Sequence, residues 1–443
     1  MIKADLIIIG SGPGGYRTAE YAAHHGLHTI VIESGDIGGT CLNCGCIPTK
    51  SLAHDAELAA QGLSIDFPHV MERKANIVQQ LRDGVGALLS GNNLSLVKGK
   101  ATFLDEKTIQ VGSEEYTADH ILIATGSSSK FPPGLSPSLL EEHSLASGNL
   151  PAVLTSTELL SIPALPKRLC IVGAGVIGME FASIFNSFGV EVTVIEFLKE
   201  CLPAVDADIA KRLRKLLEKR GITFLMQSAV KAIADGHVVF DKKGREESIE
   251  ADLVLIATGR KPNIEGLNLD MAGIEYDHAG IKVDDNMETA VKGIYAIGDV
   301  NGRQMLAHAA TFQGFRAINH ILAKPDKIRF DIMPAAIFTY PEAACVGKSE
   351  QQCKDEGLDV QVYKGYLRSN GRALAMDATE GMIKLMTDVH GKILGCHGYG
   401  VRSADMIQEI AALMNADMTI EDMKNIIHVH PTVGEVLQDM IQF

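Results

Sequence analysis

The run Leu6-Ile7-Ile8-Ile9 is uniformly apolar, and the glycine-rich stretch Gly10-Ser11-Gly12-Pro13-Gly14-Gly15 follows it at once. A short apolar run bounded by a turn signal reads as a buried strand of a parallel sheet. Tyr16 to His25 is Ala-rich and stops before Gly26, as a short helix should. A second apolar run, Thr29-Ile30-Val31-Ile32, then ends in Glu33. The same order of strand, loop, helix, strand and acid recurs in Leu169 to Val172, Gly173-Ala174-Gly175-Val176-Ile177-Gly178, and Val192-Thr193-Val194-Ile195-Glu196. Each unit has a later apolar run ending in small residues, Ile121 to Ser127 (with Ala124-Thr125-Gly126) and Leu253 to Arg260 (with Thr258-Gly259). Such runs can return the chain to the carboxyl edge of a parallel sheet.

Both loops keep the G-x-G-x-x-G spacing. Gly10 and Gly173 would permit the tight turn, Gly12 and Gly175 the approach of a pyrophosphate to the backbone, and Gly15 and Gly178 the packing of helix on strand. Glu33 and Glu196 stand about twenty residues beyond their loops, where a carboxylate can bind a ribose diol. Glu196 can equally be read as a solvated strand-end acid. The pattern before it favours binding, and the absence of an arginine in its place favours NAD over a 2'-phosphorylated nucleotide. One chain is thus expected to hold two dinucleotides.

The periodicity changes farther on. Pro132 to Pro151 is rich in Ser, Gly and Pro and reads as a loop or linker. Gly293 to Asp299 places a carboxylate at a strand end, ahead of Met305-Leu306-Ala307-His308, although a hairpin or capped helix would fit the spacing as well. Beyond about Pro334 there is no phosphate loop, but alternating runs (Ile383 to Met386, Ile393 to Cys396) and an amphipathic helix, Ala404 to Met414. Strands followed by helices suggest an α+β domain.

Composition narrows the function. A net charge of -14 argues against a nucleic-acid or anionic-membrane surface. No apolar run approaches the roughly 18 residues of a membrane span, and the N-terminus enters a strand at once. The sequence therefore reads as soluble and cytoplasmic. Three of its eight cysteines, Cys41, Cys44 and Cys46, lie within six residues. A closed zinc site needs four ligands, so no metal is expected. A secreted disulfide framework does not suit 443 residues of 46% hydrophobic composition. What remains is a redox or catalytic thiol cluster.

Taken together, Gly38-Gly39-Thr40-Cys41 through Lys50, the two glycine loops, Ala257-Thr258-Gly259-Arg260-Lys261-Pro262-Asn263, Gly298-Asp299 with Met305 to His308, Thr339-Tyr340-Pro341-Glu342, and His430-Pro431-Thr432 with Glu435 resemble the class I pyridine-nucleotide disulfide oxidoreductases, nearly end to end. The resemblance is strongest to the dihydrolipoamide dehydrogenases among them. It implies an α/β protein with two Rossmann-like dinucleotide-binding domains, for FAD and NAD, and a C-terminal α+β dimerisation domain. The implied segments are 1–147 (FAD, first part), 148–266 (NAD), 267–332 (FAD or central, second part) and 333–443 (interface).

Carried over by position, Cys41 and Cys46 would be the redox pair, Cys41 exchanging with substrate and Cys46 lying against the flavin. Lys50 would sit near the flavin and pair with Glu180. Glu33 and Asp299 would hold ribose and ribityl hydroxyls, and Ala101 would meet the adenine through its backbone. Gly39, Thr40, Thr125, Gly126, Ser127, Met305, Leu306, Ala307 and His308 would complete the FAD site, and Val230 and Gly259 the NAD side. His430 would act as acid and base on the partner subunit's disulfide, oriented by Glu435. The implied partners are a second copy of the chain and the lipoylated carrier domain of a 2-oxoacid dehydrogenase or glycine cleavage complex.

Chemistry suits these residue types, since disulfide exchange needs a thiolate and imidazole titrates near neutral pH. Two Cα atoms joined by a disulfide lie within about 7 Å, which residues five apart in a regular helix do not meet. The Cys41 to Cys46 segment must therefore be a turn or distorted helix, with Gly45 supplying the freedom. Three points stay open at this stage. Thr432-x-x-Glu435 is also a capping-box pattern, His428 could be the base instead of His430, and Cys44, where relatives usually carry an apolar residue, is either a small hydrophobe or the source of an alternative disulfide. Other readings of the chain are an NAD(P)H-driven reductase of another disulfide or a metal ion, and a non-catalytic flavoprotein subunit.

Overall fold

The computed structural model describes residues 2–147 and 151–442, and these fold into two compact units. The first is built from 1–51, 68–130 and 259–328, the second from 52–67, 131–258 and 329–443. The boundary expected between 147 and 148 falls on the edge of 148–150, so residue 148 lies outside the described residues.

The first unit is organised on a seven-stranded sheet. Strand Ile2–Ile9 lies parallel to Thr29–Glu33 on one side and to Glu114–Ile123 on the other. Leu94–Lys98 extends one edge in parallel, and Ile294–Ala296 joins Glu114–Ile123 in parallel. The strand expected before Asp299 is thus a sheet strand, not a hairpin arm. Ile7, Ile30, Ile121 and Ile123 are fully buried in one core cluster. Each such burial is worth roughly 1.5–3 kcal/mol, which explains why these runs read as continuously apolar.

The second unit repeats the arrangement with five parallel strands, in the order Thr223–Met226, Glu191–Glu196, Arg168–Val172, Leu253–Ile256 and Ala152–Leu154. A three-stranded antiparallel sheet, Ser228–Ala234, His237–Lys242 and Arg245–Glu250, accompanies it. The stretch from Pro132, expected to be a loop or linker, contains helix Leu139–Glu142 and packs Leu135, Leu139 and Leu140 against this core. Its leucines find apolar partners that its Ser, Gly and Pro content concealed. The C-terminal part is an antiparallel five-stranded sheet carrying helix Ser403–Asn415, whose buried face is Met406, Ile407, Ile410, Ala411, Leu413 and Met414.

A charged cluster is buried inside this second unit. The Lys384 ammonium meets Asp206 Oδ1 and Oδ2 at 2.8 and 2.9 Å and Glu350 Oε2 at 2.7 Å, with Lys384 and Asp206 almost wholly enclosed. Asp206 also caps helix Ala207–Lys219, and its own N–H donates to His397 Nδ1 at 3.0 Å. Burial, joined by the nearby Lys384 charge and opposed by Asp206, pushes the His397 imidazole down from 6.5 to about 4.

The folded state therefore keeps this imidazole neutral at pH values where the unfolded chain binds a proton. Stability should fall as pH drops below 6.5, and this contribution is fully lost near pH 4. The size is roughly 3 kcal/mol at 1.36 kcal/mol per unit. Urea unfolding across that window checks it: His397→Gln should flatten the slope, and an unchanged slope in the variant would assign the acid sensitivity elsewhere.

Candidate active site

In the first unit, strand Ile2–Ile9 delivers the chain into its glycine loop, and helix Pro13–His24 leaves from it with Gly12 as a cap that makes no side-chain bond. A Cβ on Gly10, whose φ is +104°, would stand 2.4 Å from the Ala124 carbonyl oxygen, and one on Gly39 would stand 2.6 Å from Gly12 Cα. Bare backbone from two loops therefore meets at a helix N-terminus. That is a cradle for a pyrophosphate. Glu33 closes it from behind: Ser11 donates from N (2.8 Å) and Oγ (2.7 Å) to Oε2, and Gly35 N–H donates to Oε1 at 2.6 Å. A carboxylate has about four acceptor positions, so capacity for a hydroxyl remains.

The second unit matches it. A Cβ on Gly173 would stand 2.5 Å from the Ala257 carbonyl oxygen, and Gly175 caps helix Val176–Ser187 with no side-chain bond. Glu196 accepts from Ala174 N–H at 2.6 Å and Leu198 N–H at 2.7 Å, so this acid reaches back to its own loop. Val230 is buried at a bulge of its strand. Glu180, on the helix after the loop, accepts from the Phe338 N–H at 2.9 Å.

The thiol segment is two helices, Gly39–Cys44 and Cys46–Ala60, broken at Gly45. A Cβ on Gly45 would lie 2.9 Å from the Thr40 carbonyl oxygen and 3.3 Å from Cys41 Cα, so the two turns close to a degree only glycine permits. Asn43 fixes the first helix by donating to the Ile37 and Gly39 carbonyls, both at 2.9 Å, while accepting from Arg82 Nε. Cys41 and Cys46 are both in the thiol form and hydrogen-bonded to each other. That contact, then burial and the Cys46 charge, push the Cys41 thiol far above its ordinary value, while Lys50 pulls it down.

Several contributors carried no role in the sequence reading. Tyr16, the first residue after the loop, has its phenol raised by burial and then by the neighbouring Cys41. Arg260 lies 3.8 Å from Asp299, and Ser127 Oγ donates to Asp299 Oδ2 while accepting from Arg260 Nε at 2.7 Å. Buried Gln313 accepts from Gly298 N–H at 2.7 Å and from Asn301 Nδ2 at 3.0 Å, fixing the turn that presents Asp299. Asn263 ties Thr125 and Gly126 to the strand Arg260–Pro262. Arg260 and Asn263 lie in a run on which the family resemblance rests and Tyr16 opens the first helix, but without their partners in sequence these contacts are not legible there. Ala101 is buried on a short antiparallel strand, whereas Met305 is exposed and Leu306 begins helix Ala307–Ile321.

At the C-terminal end the two histidines differ sharply. His428 is 7% exposed and its Nε2 lies 2.9 Å from Glu409 Oε1. His430 is 82% exposed and its Nδ1 lies 2.8 Å from Glu435 Oε1. The other Glu435 oxygen accepts from Thr432 N–H at 2.7 Å, and that bond, followed by His430, holds the carboxyl below its usual range. The capping pattern is half realised: Glu435 reaches back to the Thr432 amide, but the helix itself starts at Glu435 with Gly434 as cap. One carboxylate thus closes the turn and orients the imidazole, leaving Nε2 outward.

Two glycine-loop sheets, with a dithiol beside one of them, define an oxidoreductase that moves electrons between a pyridine nucleotide and a thiol pair. The chain belongs to the pyridine nucleotide-disulphide oxidoreductase family: residues 4–314 match it, and 333–441 match its dimerisation domain. The family's cofactors are FAD and NAD(H), and the two cradles fit them. The chain is 37% identical to mitochondrial dihydrolipoyl dehydrogenase 2 of Arabidopsis thaliana, over 98% of this chain and 89% of that one. It is 36% identical to leghemoglobin reductase of Glycine max, over 98% and 86%. Among solved structures, the HOCl-induced flavoprotein disulfide reductase RclA from Escherichia coli superposes with a TM-score of 0.88 at 30% identity, covering 99% of each chain. No described helix is long and apolar enough to cross a membrane.

Proposed function

We propose that the protein is a dihydrolipoyl dehydrogenase, a cytoplasmic homodimer that oxidises the dihydrolipoyl group of a carrier domain and reduces NAD. The observation that carries this reading is the hydrogen-bonded Cys41–Cys46 pair beside Lys50, together with an exposed His430 held by Glu435. The four-segment division of the chain and the roles of the individual site residues are part of the same proposal.

His430 of one subunit takes a proton from an incoming dithiol, and Glu435 keeps the resulting imidazolium oriented and paired. The substrate thiolate attacks Cys41 Sγ of the Cys41–Cys46 disulfide, and Cys46 leaves as thiolate. The second substrate thiol then displaces Cys41, closing the lipoyl ring and leaving both cysteines reduced. FAD, when bound, supplies a two-electron relay from this dithiol to NAD. Lys50 supports the negative charge that collects at Cys46, while Glu33 and Asp299 hold hydroxyls of the first cofactor.

His430→Gln should slow turnover of dihydrolipoamide by roughly 10² to 10⁴, the usual worth of a positioned acid and base. Reduction of an artificial acceptor by NADH should suffer far less, and equal losses in both assays would point to a damaged dimer instead. Glu196 both accepts from the adenosine ribose diol of NAD and repels a 2'-phosphate. Glu196→Ala should raise KM for NAD and narrow the gap to NADP, with the FAD spectrum unchanged. An unaltered ratio of kcat/KM would return Glu196 to the role of a loop-bracing acid.

A reductase of another disulfide is the second reading, favoured by the likeness to RclA. Steady-state assays with lipoylated carriers of the pyruvate, 2-oxoglutarate, branched-chain and glycine complexes decide between them. Turnover of a carrier with NAD supports the first reading. Turnover only of other disulfides, driven by NAD(P)H, supports the second.

A further inference from the structure

The third thiol of the cluster has a definite place. Cys41 and Cys44 both lie in helix Gly39–Cys44, three residues apart, so they share one face a turn apart. Cβ atoms at that spacing are about 5–6 Å apart, against about 3.5–4.5 Å in a disulfide. The remaining approach is small, and Cys44 is the last residue of the helix, followed by the break at Gly45. A pair spaced C-x-x-C is also the arrangement in which disulfide-exchange cysteines work. Cys41 therefore has two thiols within reach: Cys46 across the break, and Cys44 along the helix. Cys44 is half-buried and Cys46 exposed, while Cys170, Cys201, Cys345, Cys353 and Cys396 are buried.

We propose that Cys44 is a resolving thiol that exchanges with the redox pair, so that the oxidised protein interconverts between a Cys41–Cys46 and a Cys41–Cys44 disulfide. This rests on the redox pair proposed above. The Cys44 thiol gives its proton to solvent and its thiolate attacks Cys41 Sγ. The Cys41–Cys44 bond forms as the Cys41–Cys46 bond breaks, and Cys46 leaves as thiolate or takes up a proton. Nothing is oxidised or reduced overall, so no outside reagent is required. In the second form the substrate-facing sulfur is still in a disulfide, but the relay thiol at Cys46 is released without substrate. Until it exchanges back or is reduced, this form lacks the Cys41–Cys46 disulfide that the substrate would otherwise open.

The test uses the oxidised, FAD-loaded protein, alkylated with iodoacetamide under native conditions and mapped by peptide fragmentation. One motif thiol is free in either form. Exchange predicts label divided between Cys44 and Cys46, and none in the motif of Cys44→Val. Label on Cys44 alone would overturn the exchange and leave the redox pair standing. Label on Cys41, with no motif disulfide, would overturn both.

Discussion

Cys46→Ser and Cys41→Ser are each expected to bind FAD and to lose dihydrolipoamide-dependent NADH formation altogether. The substrate thiolate needs a disulfide whose far sulfur can leave and hold the electron pair close to the flavin, and a serine hydroxyl does neither. In Cys46→Ser a Cys41–Cys44 disulfide still takes electrons from the substrate but has no thiol at position 46 to hand them on. The flavin spectrum establishes folding, and NADH-driven reduction of an artificial acceptor establishes that the nucleotide side works. Substantial lipoamide turnover in either variant would remove the pair from the mechanism.

Lys384→Met should be the most destabilising single change in the second unit. It leaves Asp206, enclosed and bonded to the Glu350 N–H as well as capping its helix, without the cation that offsets its burial. Both Asp206 and Glu350 are held below their usual carboxylate range, with Lys384 bonds opposing the burial of Asp206 and joining Lys354 at Glu350, which falls to about 2. Breaking one side of such a buried pair typically costs about 3–5 kcal/mol. The double variant Lys384→Met with Asp206→Asn should recover part of that loss, because no charge is then stranded. Thermal and urea unfolding of the single and double variants check this. If the double is no more stable than Lys384→Met, packing and not charge holds the cluster.

The readable parts of this protein were those whose physics is local. Apolar runs that end in Gly10 or Gly173, the acids Glu33 and Glu196 that close each unit, and Gly45 between two short helices all follow from strand periodicity and from where a side chain has no room. The resemblance added roles and the Cys41–Cys46 pairing, and once that pairing is taken, disulfide geometry demands the turn at Gly45. Positions that depend on distant segments were not readable. Arg260 meets Ser127 and Asp299 only because the strands Arg260–Pro262 and Ser127–Ser129 pair across a long stretch of chain.

What the sequence alone determined is the two glycine-loop units with their apolar strands and the thiol cluster, because these follow short local patterns of apolar residues, glycine and cysteine. Tertiary structure decided the rest. His428 and His430 are two residues apart in similar surroundings, yet the first is drawn inward by Glu409 from helix Ser403–Asn415 and the second is left outside with Glu435. Asp206, Glu350, Lys384 and His397 are unremarkable surface-type residues in sequence. They become one buried network because folding brings four separate segments together, and burial makes their charges and protons interdependent.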